Sequence, residues 1–221
     1  MAKIVQIAEL SVYGDDDEIL LEDLSFTLDR GEVAFIRNLS DIQYETLFDV
    51  LVGNLSPDSG QVVLDDRNIV RLSRKNRKQM LGSEVSFLPR NFVLPEEKTI
   101  SESLEFKLKI TDSRHNIQER LNEVLELTGL KAKARQLPRE MSDGERVKAA
   151  LAISIVTRPE LLICHKPFPG LNSKGIKEVI NLLTRISEKQ NMSVLLLTDR
   201  IDDNINGVNV IESNLDSRVV S

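Results

Sequence analysis

Apolar and polar positions alternate from residue 3 to 12 and again from 20 to 28, where Leu24, Phe26 and Leu28 share one face, and the acidic turn "GDDDE" lies between the two runs. A period of two is that of a half-buried strand, so a pair of strands is expected at the start of the chain. "EVAFI" (32–36) is short and wholly apolar, as a strand covered on both faces would be. It runs into "NLSDIQYET" (38–46), expected as a loop, and then into a helix through Leu47, Val50 and Leu51 that ends near Gly53. "SGQVVLDD" (59–66) reads as another strand, and the basic stretch "RLSRKNRKQ" (71–79) as the solvated face of a helix, with an anion site as the alternative.

Between Thr99 and Leu130 the period changes to that of helices, with Ile117, Leu121, Val124 and Leu125 at core spacing, which predicts a helical subdomain. Beyond it follow a helix in "SDGERVKAALAISIV", a strand "ELLIC", a helix over 173–189, a strand "SVLLLT" and a terminal hairpin in "VNVIESNLDSRVV". Helices that separate apolar strands imply an α/β chain with a mostly parallel sheet. There is no internal repeat and no low-complexity linker.

Composition narrows the function classes. A hydrophobic share of 41% builds a core, and 29% charged residues solvate its surface. A net charge of -6 opposes general binding of nucleic acid, which needs a positive surface. The single cysteine, Cys164, forms no internal disulfide and fits a reducing compartment, where it is expected as a small buried strand residue. Cys164 and His165 alternate across one strand and so make a poor metal pair. The opening "MAKIVQIAELSV" reads as a strand and not as a signal peptide, and no apolar run reaches the roughly 20 residues of a membrane span. A cytoplasmic location is expected, with any membrane role exercised through a partner.

The order strand, loop, helix, helical insert, "MSDGE", "RPELLICHKPFPGLN", "SVLLLTDR" resembles the ATP-binding cassette (ABC) ATPase domain, from about residue 3 to 220. The short insert and the lead-in "GLKAKARQLPREMSDGE" are most similar to the FtsE, LolD and MacB branch of that family. The resemblance implies a P-loop NTPase-like fold with an N-terminal antiparallel β-subdomain, and a single domain over 1–221 whose core takes in about 1–88 and 145–221. The helical subdomain would then occupy about 89–144.

The family's phosphate loop is G-x-x-x-x-G-K-[ST], and "GEVAFIRNLSDIQYETLFDVLVG" lies over it without a gap. Asn38 and Gln43 then stand at the two glycines, Tyr44 at the lysine and Glu45 at the magnesium-binding hydroxyl. "LLICHKPFPGLN" places His165 at the magnesium aspartate and Lys166 at the general-base glutamate, while Asp199 stands at the switch histidine and Pro89, or Leu88, at the glutamine that joins the insert to the site. Glycine lets the loop point its N–H groups at phosphate, and lysine supplies the charge. A lysine ammonium takes no proton from water, and imidazole is a poor ligand for magnesium. The expectation is therefore a catalytically degenerate homologue, not an enzyme, with ATP and magnesium bound weakly or not at all. Tyr13 (the adenine-stacking position), Ser40 and Thr46 would be vestiges of the nucleotide site.

By resemblance, the signature segment carries Ser142 and Gly144, which in this family close the site of a second subunit; Asp143 fits a helix-capping role better. The groove for a membrane subunit is placed in "RNFVLPEEKTISESLEF", with Phe92, Val93, Leu94 and Phe106 as contacts. The chain is thus expected to act as a cytosolic structural or regulatory partner of an integral membrane permease-like subunit. Alternatives are an ATP-binding subunit that still holds nucleotide or completes an intact cassette's site, in a homodimer or heterodimer, and a free-standing regulator. In either membrane-linked case it would sit at the inner face of the cell membrane. The charges at the site reverse as a set, since the loop carries Asp41 and Glu45 where it should be positive. Lys166 is accordingly expected within about 4 Å of Asp41, Glu45 or Asp199.

Overall fold

In the computed structural model, which describes residues 2–111, 116–201 and 207–215, β1 (Lys3–Tyr13) and β2 (Ile19–Asp29) pair antiparallel across the acidic turn. β4 (Ser59–Leu64) and the short β5 (Arg67–Asn68) complete an antiparallel sheet of order β2-β1-β4-β5. The second sheet joins β3 (Val33–Arg37), β6 (Val85–Leu88), β7 (Leu161–His165), β8 (Ser193–Leu197) and β9 (Asn209–Glu212) in the order β6-β7-β8-β3-β9, and every pairing in it is parallel.

Residue alternation along the central strands decides what packs where. Val33 and Phe35, Leu162 and Cys164, Val194 and Leu196 face one way, into a core built with α3 (Ile100–Ile110), α4 (Ile117–Leu127), α5 (Asp143–Ile155) and α6 (Ser173–Gln190). Ala34 and Ile36, Leu161 and Ile163, Leu195 and Leu197 face the other way, against α1 (Asp41–Val52) and the antiparallel sheet. Every residue of β7 and β8 is buried, which explains their unbroken apolar runs. α2 (Arg74–Ser83) buries only Met80, so its basic residues form a solvated face.

Two expectations change. The stretch 38–46 is not a long loop: α1 begins at Asp41, leaving only 38–40 as connection. The cause is a capping box, in which the Ser40 hydroxyl accepts from the Gln43 N–H at 3.3 Å while the Gln43 carbonyl oxygen accepts from the Ser40 N–H at 2.8 Å. At the other end, β9 is an edge strand parallel to β3, and the second arm of the expected terminal hairpin lies outside the described residues.

Because β3, β6, β7 and β8 run parallel, the segments that follow them leave the sheet at one edge. In open α/β sheets that edge is where ligands bind. The chain places 38–41, 89–91, 166–170 and 198–200 there.

Candidate functional site

At this edge lies a cavity of about 430 Å³ lined by Asp41, Arg90, Asn91, Lys166, Phe168, Pro169, Gly170, Asp199 and Arg200. Three cations and two carboxylates thus converge from four segments. A second cavity of about 380 Å³ shares Arg90, Asn91, Pro169 and Gly170 with it and extends to Phe92, Val93, Asp143 and Arg146.

Lys166 directly follows β7. Its backbone is left-handed, with φ 42, a conformation that a long side chain rarely adopts, and its N–H donates to the Leu197 carbonyl of β8 at 3.0 Å. That geometry turns the side chain across the strand ends. The stem is covered, with 11% of the side chain exposed, and the ammonium forms an ion pair with Asp41 at the first turn of α1. The same ammonium lies 5.1 Å from the centre of the Tyr44 ring. The expected closure of the site by Lys166 is therefore found, with Asp41 as its partner. The Lys166 ammonium holds the Asp41 carboxyl below the usual carboxylate range, through hydrogen bonding first and charge second, with Arg90 and His165 helping. With 70% of its side chain exposed, Asp41 makes this a surface-type pair, worth about 0.2–1 kcal/mol. A stronger anion can displace it.

Tyr44 is not at the cavity surface. It is fully buried and donates its hydroxyl to the Ile36 carbonyl of β3 at 2.9 Å, and burial pushes its phenol above the usual range. Asn38 takes φ 63, the left-handed region that the motif glycine would supply and that asparagine tolerates. Its amide donates to Glu212 at 2.8 Å, and Arg37 pairs with the same carboxylate at 2.8 Å, which ties the connection to β9. Glu45 is exposed on α1, and Thr46 is buried within it. Ser40 is spent on the α1 cap.

His165 closes β7 with its ring 5.1 Å from that of Phe48 and only 4% exposed. Burial lowers its pKa, with Lys166 and Arg90 acting in the same sense and Glu45 and Asp49 opposing. Among the described residues no group of three or more His, Cys, Asp or Glu is gathered to hold a metal, and a stacked, buried imidazole does not fit a magnesium site. Cys164 is wholly buried, which pushes its thiol up and keeps it inert. Tyr13 ends β1 at 42% exposure, holds Asp58 through its N–H at 2.9 Å, and lines neither cavity. Leu88 ends β6 in the core, so Pro89 is the residue that leaves the sheet.

Arg90 and Arg200 were not read from the sequence as site residues. The signal for them is positional, since each follows a parallel strand at its C-terminal end. The Arg200 guanidinium donates to the carbonyls of Leu171 at 2.9 Å and Phe168 at 3.4 Å, which fixes the turn after β7.

The signature segment caps α5. Ser142 accepts from the Glu145 N–H, and Glu145 accepts from the Ser142 N–H at 2.9 Å and from its hydroxyl at 3.0 Å. Asp143 lies over Gly170, where φ is +71 and an added Cβ would come within 2.6 Å of the carboxylate. Gly144 is half-buried in the first turn of α5. The groove residues divide. Phe106 is 52% exposed under the Lys98 ammonium, 4.1 Å from the ring centre, and Phe92 is half-buried at the second cavity. Leu94, expected as a contact, is a core residue at 2% exposure, whereas Val93 is 86% exposed. The chain turns Leu94 inward to join Ile100, Leu104 and Val147 in the core, which leaves Val93 outside.

A model of the ABC transporter family matches residues 21–168. The cell division ATP-binding protein FtsE of Streptococcus pneumoniae is 30% identical over 196 residues, covering 88% of this chain and 84% of that protein. A methionine import ATP-binding protein MetN of Bacillus thuringiensis is 28% identical over 179 residues, covering 80% of this chain and 52% of that protein, so the chain spans about half the length of this relative. In structure, cbiO1 from Clostridium perfringens, part of the ABC transporter complex cbiONQ, superposes with a TM-score of 0.83 at 23% identity over 97% of this chain and 88% of that one. A dimeric bacterial ABC transporter cassette gives 0.76 at 20% identity over 94% of each chain, and these two likenesses carry the fold alone. The expectation that the chain is not an enzyme is corrected by the sequence matches, which are to the ABC transporter family and to its ATP-binding proteins.

Proposed function

The chain belongs to the ABC transporter family, and from that premise we propose that it is an ATP-binding subunit of the FtsE and MetN type, which works at the membrane through an integral permease-like partner. The observation that supports this reading is the cavity at the C-terminal edge of the parallel sheet, where open α/β folds bind their ligands and where Arg90, Lys166 and Arg200 converge. A space of about 430 Å³ falls within the range of small-molecule sites, and its cations suit a polyanion. The curated relatives named above are ATP-binding proteins, one of methionine import and one of cell division, which supports the ligand.

A second cassette completes the arrangement. Ser142 and Asp143 are exposed at the start of α5, the surface that a facing subunit's nucleotide would meet. The structural neighbour that is itself a dimer supports this pairing as a geometry open to the fold. Val93, Phe106 and Ile110, exposed at 86%, 52% and 61%, are the apolar side chains of this region that the permease-like partner would cover.

The test is calorimetric titration of the purified chain with Mg-ATP, alone and beside a second cassette. Binding is expected with a dissociation constant between about 1 μM and about 1 mM, the span over which enzymes' Michaelis constants ordinarily fall. Absence of both heat and thermal stabilisation at millimolar Mg-ATP in either setting would overturn the reading.

A further inference from the structure

We propose that Lys166 is the cation that meets the phosphate of a bound nucleotide, delivered from the end of β7 in place of a lysine on α1, and that Asp41 is the internal counter-ion which the phosphate displaces. The inference rests on the ATP-binding reading above and names the residue that carries it.

Five observations lead here. The α1 residue at the family's lysine position is Tyr44, whose side chain is sealed in the core and lines neither cavity. Lys166 places its ammonium over that same ring at 5.1 Å, so a positive charge stands at the spot although the side chain comes from the opposite wall. Its left-handed backbone and its N–H bond to Leu197 aim it there, and its covered stem leaves little room for other rotamers. Its present partner is a carboxylate, which offers the ammonium the same oxygen chemistry as a phosphate. Arg90 lines the same cavity and acts electrostatically on Asp41, so a second cation attends the oxygen that would be replaced. Arg200 is engaged with backbone carbonyls and serves the cavity wall. Asp199 remains as an opposing charge and favours ligands that bring several negative charges over those with one.

The two partners then have opposite effects. Removing Lys166 deletes the cation, whereas neutralising Asp41 frees it. Full-length wild type, Lys166→Ala, Lys166→Arg and Asp41→Asn are titrated calorimetrically with ATP and with inorganic tripolyphosphate. The expected result is a loss of at least about tenfold for Lys166→Ala with both ligands, partial recovery in Lys166→Arg, and a gain of about three- to tenfold for Asp41→Asn. Lys166 should also be protected from amine acylation by tripolyphosphate. If wild type binds ATP while Lys166→Ala is unchanged, or Asp41→Asn weakens binding, the assignment of Lys166 is wrong and the ATP-binding reading survives. If neither wild type nor Asp41→Asn binds ATP, both fall together.

Discussion

The Nε–H of Arg120, on α4, donates to the carbonyl of Val156 at the end of α5 at 2.8 Å. A second guanidinium nitrogen donates to the Ile155 carbonyl at 2.6 Å, and Glu123, 2.9 Å away, balances the charge. With 1% of its surface exposed, Arg120 is a buried ion that satisfies the last carbonyls of a core helix and thereby ties the helical insert to the sheet. Burial lowers its pKa, and Glu123 opposes that shift. Arg120→Met keeps the apolar stem but strands two buried acceptors, while Glu123 keeps its other partner, Arg158, at 2.6 Å, so a loss of about 3 kcal/mol is expected in urea unfolding from the two orphaned carbonyls. Arg120→Lys should recover only part of it, since one ammonium lacks the planar fork. An Arg120→Met variant as stable as wild type would show that water takes over the carbonyls.

Leu94 and Val93 are neighbours with opposite environments, one at 2% and the other at 86% exposure. Leu94→Ala is expected to cost about 2–4 kcal/mol, as other buried leucines do, whereas Val93→Asp should leave stability within about 0.5 kcal/mol. Thermal melts of the two variants check this. Equal effects would mean that the segment "FVL" packs differently in solution.

The same pair shows where sequence reading stops. Strand β2 was legible because one buried face imposes a period of two through Leu24, Phe26 and Leu28, β1 only as an extended segment because bulges bury neighbours such as Ile4 and Val5 together, and β3, β7 and β8 because burial on both faces imposes an unbroken apolar run. "FVL" lies in a connection with no period, so which residue turns inward is settled only by α3 and α5 packing around it. Arg120 escaped notice for a related reason, as a charge beside Leu121 and Val124 reads as the solvated side of α4 until α5 is brought against it. The early start of α1 is written in Ser40 and Gln43 at capping-box spacing, inside the stretch that the family's phosphate loop would occupy. Lys166 facing Asp41 was legible because the family frame sets those two segments opposite each other and the charges reverse together. Sealing of Tyr44 was not, since it depends on how deeply α1 sits against β3.

His165 titrates in its own window. Burial holds its imidazole below the ordinary range near 6.5, so between that value and its folded pKa the unfolded chain binds a proton that the folded chain does not. Its contribution to stability is therefore full above about pH 6.5 and declines as pH falls below it. Asp41 acts in the same direction in a lower window, because a depressed carboxyl contributes above about pH 3.9 and loses its share only below that. His165→Phe, which preserves the ring stack on Phe48, should flatten the pH dependence of the urea midpoint below about pH 6.5. An unaltered slope would place the titration elsewhere in the chain.

Tyr44 allows the charge layout to be tested by reversal. Tyr44→Phe removes only the hydroxyl that donates to Ile36 and should cost about 1–2 kcal/mol, the usual effect of orphaning a buried acceptor. Tyr44→Lys restores the residue type of the family's loop, yet it should not restore the site. The position is fully buried among residues such as Ile36, Leu47 and Leu197, and an ammonium there loses its hydration. It would also face the Lys166 ammonium, now 5.1 Å from the ring centre, at a like-charge cost of about 3 kcal/mol for an effective dielectric near 20. Tyr44→Lys is thus expected to be destabilised by at least that amount and to bind ATP no more tightly than wild type. Pairing it with Lys166→Glu returns both charges to the family's layout, and the double variant should be more stable than the sum of the two single changes predicts by about 1–3 kcal/mol. Additive losses would mean that the two side chains do not meet. A stable Tyr44→Lys protein with tighter ATP binding would mean that position 44 opens to the cavity, and the role assigned to Lys166 would then pass back to α1.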